Sequence, residues 1–68
     1  MIYKEYTNSE IVALIDEYIH SERDRAILKD RFVNGMIFEA LAEKYELSVR
    51  QVKNIVYHKG DKILLKLH

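Results

Sequence analysis

The sequence has no cysteine, no proline and no tryptophan, and only two glycines, Gly35 and Gly60. Because cysteine is missing, the chain can build neither a disulfide framework nor a thiolate site for zinc or nucleophilic catalysis. A chain of 68 residues must then rest on packing between its own elements, and we expect one domain over residues 1–68. The lack of a long apolar run and of a basic amino-terminal segment disfavours a membrane partner and a secretion signal, so we expect a cytoplasmic protein.

Polar residues at capping positions predict the first two helices. Thr7 and Glu10 have the spacing of a capping box, and we place the first helix at about residues 8–20. Ser21 begins the second helix, and the left-handed conformation that Gly35 tolerates ends it. Without proline, nothing else in this half of the chain interrupts a helix.

The second half predicts two further helices separated by a short break. The third spans about residues 37–45, and Ser48 with Gln51 forms another capping box that begins the fourth. The apolar stripe of the fourth helix keeps its phase across Gly60, which favours one continuous helix over a break there. The predicted core is made of the apolar stripes of all four helices: Ile11, Leu14, Ile15, Tyr18, Ile19, Ile27, Leu28, Phe32, Val33, Ile37, Phe38, Leu41, Ala42, Tyr45, Val52, Ile55, Val56, Ile63, Leu64 and Leu67.

Two short helices joined by three or four residues, with the small Ala42 where they cross, match a helix-turn-helix. On a helix that starts at Ser48, the amino-terminal amides can hold a backbone phosphate. Arginine can fork onto guanine, glutamine or asparagine onto adenine, and lysine or tyrosine can hold phosphates. The polar residues expected on the solvent side of this helix are Arg50, Gln51, Lys53, Asn54 and Tyr57.

The net charge is zero, but the charges are separated along the chain. Residues 1–47 hold six Lys/Arg against ten Asp/Glu, which gives −4, and residues 48–68 hold five against one, which gives +4. One end of the molecule therefore attracts a polyanion such as double-stranded DNA, and the other end repels it.

Part of the chain, about residues 21–67, resembles the fourth conserved region of bacterial sigma factors. The similar segments are ERDRAILKDRFVNG (22–35), FEALAE (38–43) and LSVRQVKNI (47–55). Residues in comparable places of the helix before the helix-turn-helix are Arg23, Ile27 or Leu28, Arg31, Phe32 and Gly35.

This resemblance implies that the second helix of the motif enters the major groove of a promoter −35 element. It implies that the residues facing DNA are Ser48, Val49, Arg50, Gln51, Lys53 and Asn54. Glu46 stands where the family usually has glycine, so it must tolerate a strained conformation or shift the turn by one residue, and it places a negative charge near the groove. The chain has no room for the region that binds the −10 element, which implies a freestanding regulator of the type found on phages and mobile elements.

The expected fold class is therefore all-α: a four-helix domain with a helix-turn-helix, similar to sigma region 4 and to the winged-helix-like DNA-binding class, without a wing. The expected function is sequence-specific DNA binding in transcription regulation. The same polar helix face could also be only a solvated surface. The second functional class is a protein-interaction module, a homodimer or an RNA polymerase docking surface, built on an apolar carboxyl terminus: Ile63, Leu64, Leu65 and Leu67.

Other polar residues carry weaker expectations. The three histidines are too scattered for a metal site, and no cofactor or enzymatic activity is expected, since so small a chain offers no deep pocket for the carboxylates at 39, 43 and 46. The basic residues of the second helix are expected to pair within that helix: Arg23, Arg25, Lys29 and Arg31. Four tyrosines are expected in the core or at helix caps: Tyr3, Tyr6, Tyr18 and Tyr45.

Overall fold

Four helices make up the computed structural model, which describes residues 6–66 and their side chains as far as residue 63. They are α1 (Asn8–Tyr18), α2 (Glu22–Phe32), α3 (Phe38–Tyr45) and α4 (Val49–Lys66). No strand occurs among residues 6–66, and α4 packs against each of the other three helices. The predicted four-helix, all-α architecture is confirmed, and α4 runs unbroken through Gly60. No described helix combines the length and the apolar character that a membrane crossing requires.

The first two helices begin where their capping residues predict. Thr7 Oγ1 accepts a hydrogen bond from the Glu10 amide at 3.1 Å, and Glu10 Oε1 accepts one from the Thr7 amide at 3.2 Å. Ser21 Oγ accepts from the Asp24 amide at 3.3 Å at the start of α2. The first helix ends earlier than predicted, at Tyr18, because Ile19 takes an extended conformation with φ −107° and ψ 119°.

The buried core gathers residues from all four helices. It consists of Ile15, Ile19, Ile27, Leu28, Leu41, Ala42, Val52, Val56 and Ile63, every one of which the helical periodicity assigned to the interior. The prediction is wrong for Ile37, which is 59% exposed. Ile37 is the extended residue that precedes α3, so its side chain does not follow the helical spacing that the prediction assumed.

Large side chains at the edge of the core are less buried than their spacing predicts. Tyr18 is 37% and Phe32 is 39% exposed, so neither is an interior residue. Tyr6 and Tyr45 are half-buried, and Tyr45 packs against the core. Tyr3 and Leu67 lie outside the described residues, and Leu64 lies outside those whose side chains are described.

Basic side chains of α2 contact neighbouring parts of the fold. Lys29 Nζ lies 2.8 Å from a carboxylate oxygen of Asp16 in α1. The Arg25 Nε donates to the main-chain carbonyl of Ile19, just after α1. The predicted pairing within the helix is therefore wrong for both residues, and their contacts join α2 to α1.

Gly60 lies where α4 crosses the end of α2, and it is buried. A Cβ atom at this position would lie 3.1 Å from Cζ and 3.4 Å from Cε2 of Phe32. A glycine inside a helix costs about 1 kcal/mol relative to alanine. Close approach to the Phe32 ring is the physical reason why glycine occupies this position in α4.

Replacing Gly60 tests that close approach. We expect Gly60→Ala to raise the free energy of unfolding by less than the ~1 kcal/mol that helix propensity alone would give. The reason is that the new methyl group must displace the Phe32 ring. In a Phe32→Ala background, the same substitution should raise the free energy of unfolding by the full ~1 kcal/mol. Urea unfolding of the wild type, the two single variants and the double variant measures the coupling energy between positions 32 and 60. An identical effect of Gly60→Ala in both backgrounds would contradict the assigned contact.

Candidate nucleic-acid interface

The connection between α3 and α4 is short and has one left-handed residue. Glu46 has φ 56° and ψ 45°. The Leu47 amide donates to the Ala42 carbonyl at 2.9 Å, and the Glu46 amide is 3.4 Å from the Glu43 carbonyl. This pair of hydrogen bonds is a Schellman ending, in which glycine is the usual left-handed residue. Glu46 therefore tolerates a strained backbone conformation, which is one of the two outcomes expected for it.

The start of α4 is capped reciprocally, as the sequence predicts. The Gln51 amide donates to Ser48 Oγ at 3.0 Å, and the Ser48 amide donates to Gln51 Oε1 at 2.9 Å. Leu47, just before this cap, packs against the core, and Val52 behind it is fully buried. The first turn of α4 is thus held by hydrogen bonds at its end and by packing along one side.

Most of the residues predicted to face DNA are exposed, and Val49 is the exception. Arg50, Lys53, Asn54 and Tyr57 follow the i, i+3, i+4, i+7 spacing of one helix face, and all four are exposed; we call these four residues the polar flank. Ser48 and Gln51 are also exposed, at the amino-terminal end of the same helix. Val49 differs, because it is half-buried and packs against the core.

A cluster around Phe38 joins the polar flank to α2. The guanidinium carbon of Arg31 lies 4.4 Å from the centre of the Phe38 ring, and Lys53 Nζ lies 5.8 Å from it. The Tyr57 ring meets Phe38 edge-on, with ring centres 5.9 Å apart and planes at 71°. Arg31 Nη1 also donates to the Met36 carbonyl at 2.8 Å, so the pairing predicted within α2 is wrong for this residue too.

The Phe38 cluster was not foreseen in the sequence. Helical spacing assigned Phe38 to the interior, but it is only half-buried and supports two cations. One signal in the sequence could have indicated this contact: Arg31 and Phe38 lie close together in the sequence, on either side of the turn that contains Gly35. Beside this cluster is a hollow of about 240 Å³ lined by Arg31, Phe32, Phe38, Val56, Tyr57, Gly60 and Asp61.

A hydrogen-bond network around Asp30 positions the end of α3. Asp30 is only 8% exposed, and its carboxylate accepts from Lys44 Nζ at 2.8 Å, from Asn34 Nδ2 at 2.9 Å and from the Tyr45 hydroxyl. The hydrogen bond from Lys44, followed by that from Tyr45, lowers the pKa of Asp30 below its ordinary value. The same bond raises the pKa of Lys44, and burial followed by the bond to Asp30 raises the pKa of Tyr45. The network therefore anchors α3 to α2 one residue before the turn.

The residues expected to form a partner surface, at the apolar carboxyl terminus, do not all lie in the same environment. Ile63 is 3% exposed and belongs to the core, so its side chain is not part of a free surface. Leu64 and Leu65 lie outside the residues whose side chains are described, and Leu67 lies outside the described residues altogether. The interface that can be described in full is therefore the polar flank and the Phe38 cluster.

No protein-family model matches the sequence, and neither a curated protein nor a solved structure matches it. Function is therefore inferred from the geometry of α3, the turn and α4, together with the charges around them. Helices α3 and α4 each pack against the core along one side, through Leu41 and Ala42 in α3 and Val52 and Val56 in α4. Their opposite sides are the surfaces available for a partner.

The Asp30 network makes stability depend on pH. We expect Asp30→Asn to lower the free energy of unfolding by about 1–3 kcal/mol near neutral pH, because Lys44 and Tyr45 lose a charged acceptor. Since the folded pKa lies below the ordinary value of 3.8, this contribution is complete above that value and is lost as the pH falls through the folded pKa. Urea titrations should show a difference between the two chains that is constant from about pH 5 to 7 and shrinks below about pH 4.

The control for this experiment is Asp16→Asn, which removes the partner of Lys29 in an exposed ion pair. We expect it to change stability by less than about 1 kcal/mol. A difference between wild type and Asp30→Asn that stays constant down to the acid transition would refute the assignment to the carboxylate.

The left-handed turn predicts a stabilising substitution. Glu46→Gly should raise the free energy of unfolding by roughly 0.5–1 kcal/mol, because glycine adopts positive φ without the steric penalty of a Cβ atom. Glu46→Gln is the matched control: it removes the charge, keeps the Cβ atom and should leave stability nearly unchanged. Thermal unfolding compares the three chains, and equal gains from both substitutions would mean that charge, not backbone conformation, is responsible.

Proposed function

We propose that this chain is a sequence-specific DNA-binding protein that acts as a transcription regulator by placing the first half of α4 in the major groove. One observation carries the proposal. Helix α4 is buried along Val52 and Val56, while the polar flank on its other side is exposed over two helical turns. The major groove of B-form DNA, about 12 Å wide, admits a helix of this kind.

The side chains of the flank suit base recognition. Arg50 and Asn54 are exposed, and within the described residues neither takes part in a hydrogen bond or an ion pair. A free guanidinium can fork onto O6 and N7 of guanine, and a free amide can pair with N6 and N7 of adenine. Both groups project from a helix that is fixed at its start by the Ser48 cap, so they need no folding of a loop before binding.

The Phe38 cluster suits the DNA backbone. Arg31 and Lys53 lie against the same ring, so positive charge extends from the polar flank of α4 onto α2. Phosphate contacts of this type position a protein on the duplex and make its affinity fall with salt. Tyr57 packs edge-on against the same ring and has a hydroxyl group available for a further phosphate.

The acidic residues support one orientation on DNA. Glu39 and Glu43 are exposed on α3, whereas Glu46, exposed in the turn two residues before Ser48, places a negative charge near the proposed groove contact. Residues 1–47 carry a formal charge of −4 and residues 48–68 carry +4. A duplex is therefore attracted more strongly to residues 48–68 than to residues 1–47 taken as a whole.

A relation to region 4 of bacterial sigma factors is part of the same proposal. It is supported by the short α3, the left-handed residue at the position of the usual glycine and the long α4. A single module of this type buries only about 600–1,000 Å² on DNA. Tight binding then calls for a second contact, either a homodimer or RNA polymerase. The apolar carboxyl terminus is the segment left for that contact, although Ile63 is already used by the core.

Fluorescence anisotropy with DNA duplexes tests the proposal. Arg50→Ala should cost about 1–3 kcal/mol on a sequence selected by the wild type and little on random duplex, because it removes a base contact. Lys53→Ala should weaken binding to both duplexes alike and reduce the slope of log affinity against log salt by about one unit.

Lys62→Ala is the matched control, because it removes one positive charge from an exposed position of α4 beyond the polar flank. It should change affinity less than Lys53→Ala. Binding that is undetectable at low salt, or the same for wild type, Arg50→Ala and Lys53→Ala, would overturn the proposal and favour the protein-interaction module.

A further inference from the structure

Arg31 is held in place by two contacts that leave most of its donors free. Its guanidinium carbon lies 4.4 Å from the centre of the Phe38 ring, and its Nη1 donates to the Met36 carbonyl at 2.8 Å. A guanidinium has five N–H donors, and the Met36 carbonyl takes only one of them. Among residues 6–63, no carboxylate forms an ion pair with Arg31, so its charge is available to a partner.

Lys53 brings a second cation to the same ring from α4. Its Nζ lies 5.8 Å from the ring centre, and within the described part of the chain it too has no carboxylate partner. The sum of the two distances, 4.4 and 5.8 Å, places Nζ and the guanidinium carbon no more than about 10 Å apart. Phosphates of one DNA strand follow each other every ~3.4 Å of helix axis, so two cations at this separation can meet neighbouring phosphates.

The Phe38 side chain is itself fixed by its neighbours. Phe38 is the first residue of α3, packs half-buried against the core and meets the Tyr57 ring edge-on, with ring centres 5.9 Å apart. The face of an aromatic ring carries negative charge and attracts a cation within about 6 Å of its centre. Because phenylalanine has no N–H or O–H donor, Phe38 cannot hold a phosphate and can only place groups that do.

We infer that Phe38 is a positioning residue of the DNA interface: its ring holds Arg31 of α2 and Lys53 of α4 in place before binding. This inference rests on the proposed function and adds to it a residue that need not touch DNA. An unrestrained arginine or lysine loses side-chain entropy when it is fixed on a phosphate, and the loss is smaller when the ring has already fixed it. The phosphate bonds to N–H donors turned away from the ring, so each cation keeps its contact with Phe38 in the complex.

Variants of Phe38 in the full chain test this role. Phe38→Leu keeps an apolar side chain against the core but removes the aromatic face, and Phe38→Met is a second ring-free variant should the first not fold. We expect either one to weaken binding to selected and random duplexes alike, by about two- to tenfold in fluorescence anisotropy, because Arg31 and Lys53 would then be ordered only on binding. Phe38→Tyr keeps the ring face and should stay within about twofold of the wild type. Urea unfolding identifies the variants that are folded under the binding conditions.

Double-mutant cycles separate positioning from a general structural effect. Arg31→Ala should cost less affinity in the Phe38→Leu background than in the wild type, and so should Lys53→Ala, because the ring no longer holds the cation that each substitution removes. Arg50→Ala is the matched control. Arg50 lies outside the Phe38 cluster, so its cost on the selected duplex should be the same in both backgrounds.

Proton chemical shifts of the free protein supply a readout that needs no DNA. Protons above the face of an aromatic ring shift upfield. The side-chain protons of Arg31 should therefore lie upfield in the wild type and in Phe38→Tyr, and should return toward their ordinary values in Phe38→Leu and Phe38→Met.

The outcomes separate the two levels of the proposal. A folded ring-free variant that binds as tightly as the wild type, an equal cost of Arg31→Ala in both backgrounds, or an Arg31 without the upfield shift overturns the role of Phe38 and leaves DNA binding standing. A smaller cost of Arg50→Ala in the Phe38→Leu background also overturns it, because Phe38 would then act on the placement of α4 as a whole. A wild type that binds no duplex overturns both.

Discussion

Burial of one side of α4 is the contact on which the rest of the structure depends. Val52 is fully buried and Val56 is 5% exposed, and both pack where α4 meets the other helices. A chain of 68 residues has little apolar surface to spare, so this side cannot be given up to another partner. Helical periodicity then leaves no choice about the opposite side: Arg50, Lys53, Asn54 and Tyr57 must face outward.

The turn before α4 converts this packing into a defined position. Glu46 takes a left-handed conformation that glycine would adopt at lower cost, and the Ser48 cap follows within two residues. Asp30 holds the end of α3 from the other side through Lys44 and Tyr45. The left-handed turn, the Ser48 cap and the Asp30 network together fix where α4 begins. A binding helix with a fixed start presents its side chains in a fixed register.

The cap and the proposed interface share a residue, Gln51, so a side chain of the interface is already restrained in the free protein. Gln51 Oε1 accepts a hydrogen bond from the Ser48 amide, so this side chain is held in one orientation before a partner binds. Lys53 similarly lies against the Phe38 ring, together with Arg31. A side chain already restrained in the free protein loses less conformational entropy on binding, and its direction is settled before the partner arrives.

Local signals in the sequence were sufficient for the helices, the caps at Thr7 and Ser48, the continuity of α4 and the exposed polar flank. These features depend on contacts between residues three or four positions apart, which spacing records directly. The contacts of Arg31 with Phe38 and of Asp30 with Lys44 join different helices, and spacing cannot encode them. The exposure of Ile37 was likewise decided by the folded chain, because it depends on which neighbours the side chain actually meets.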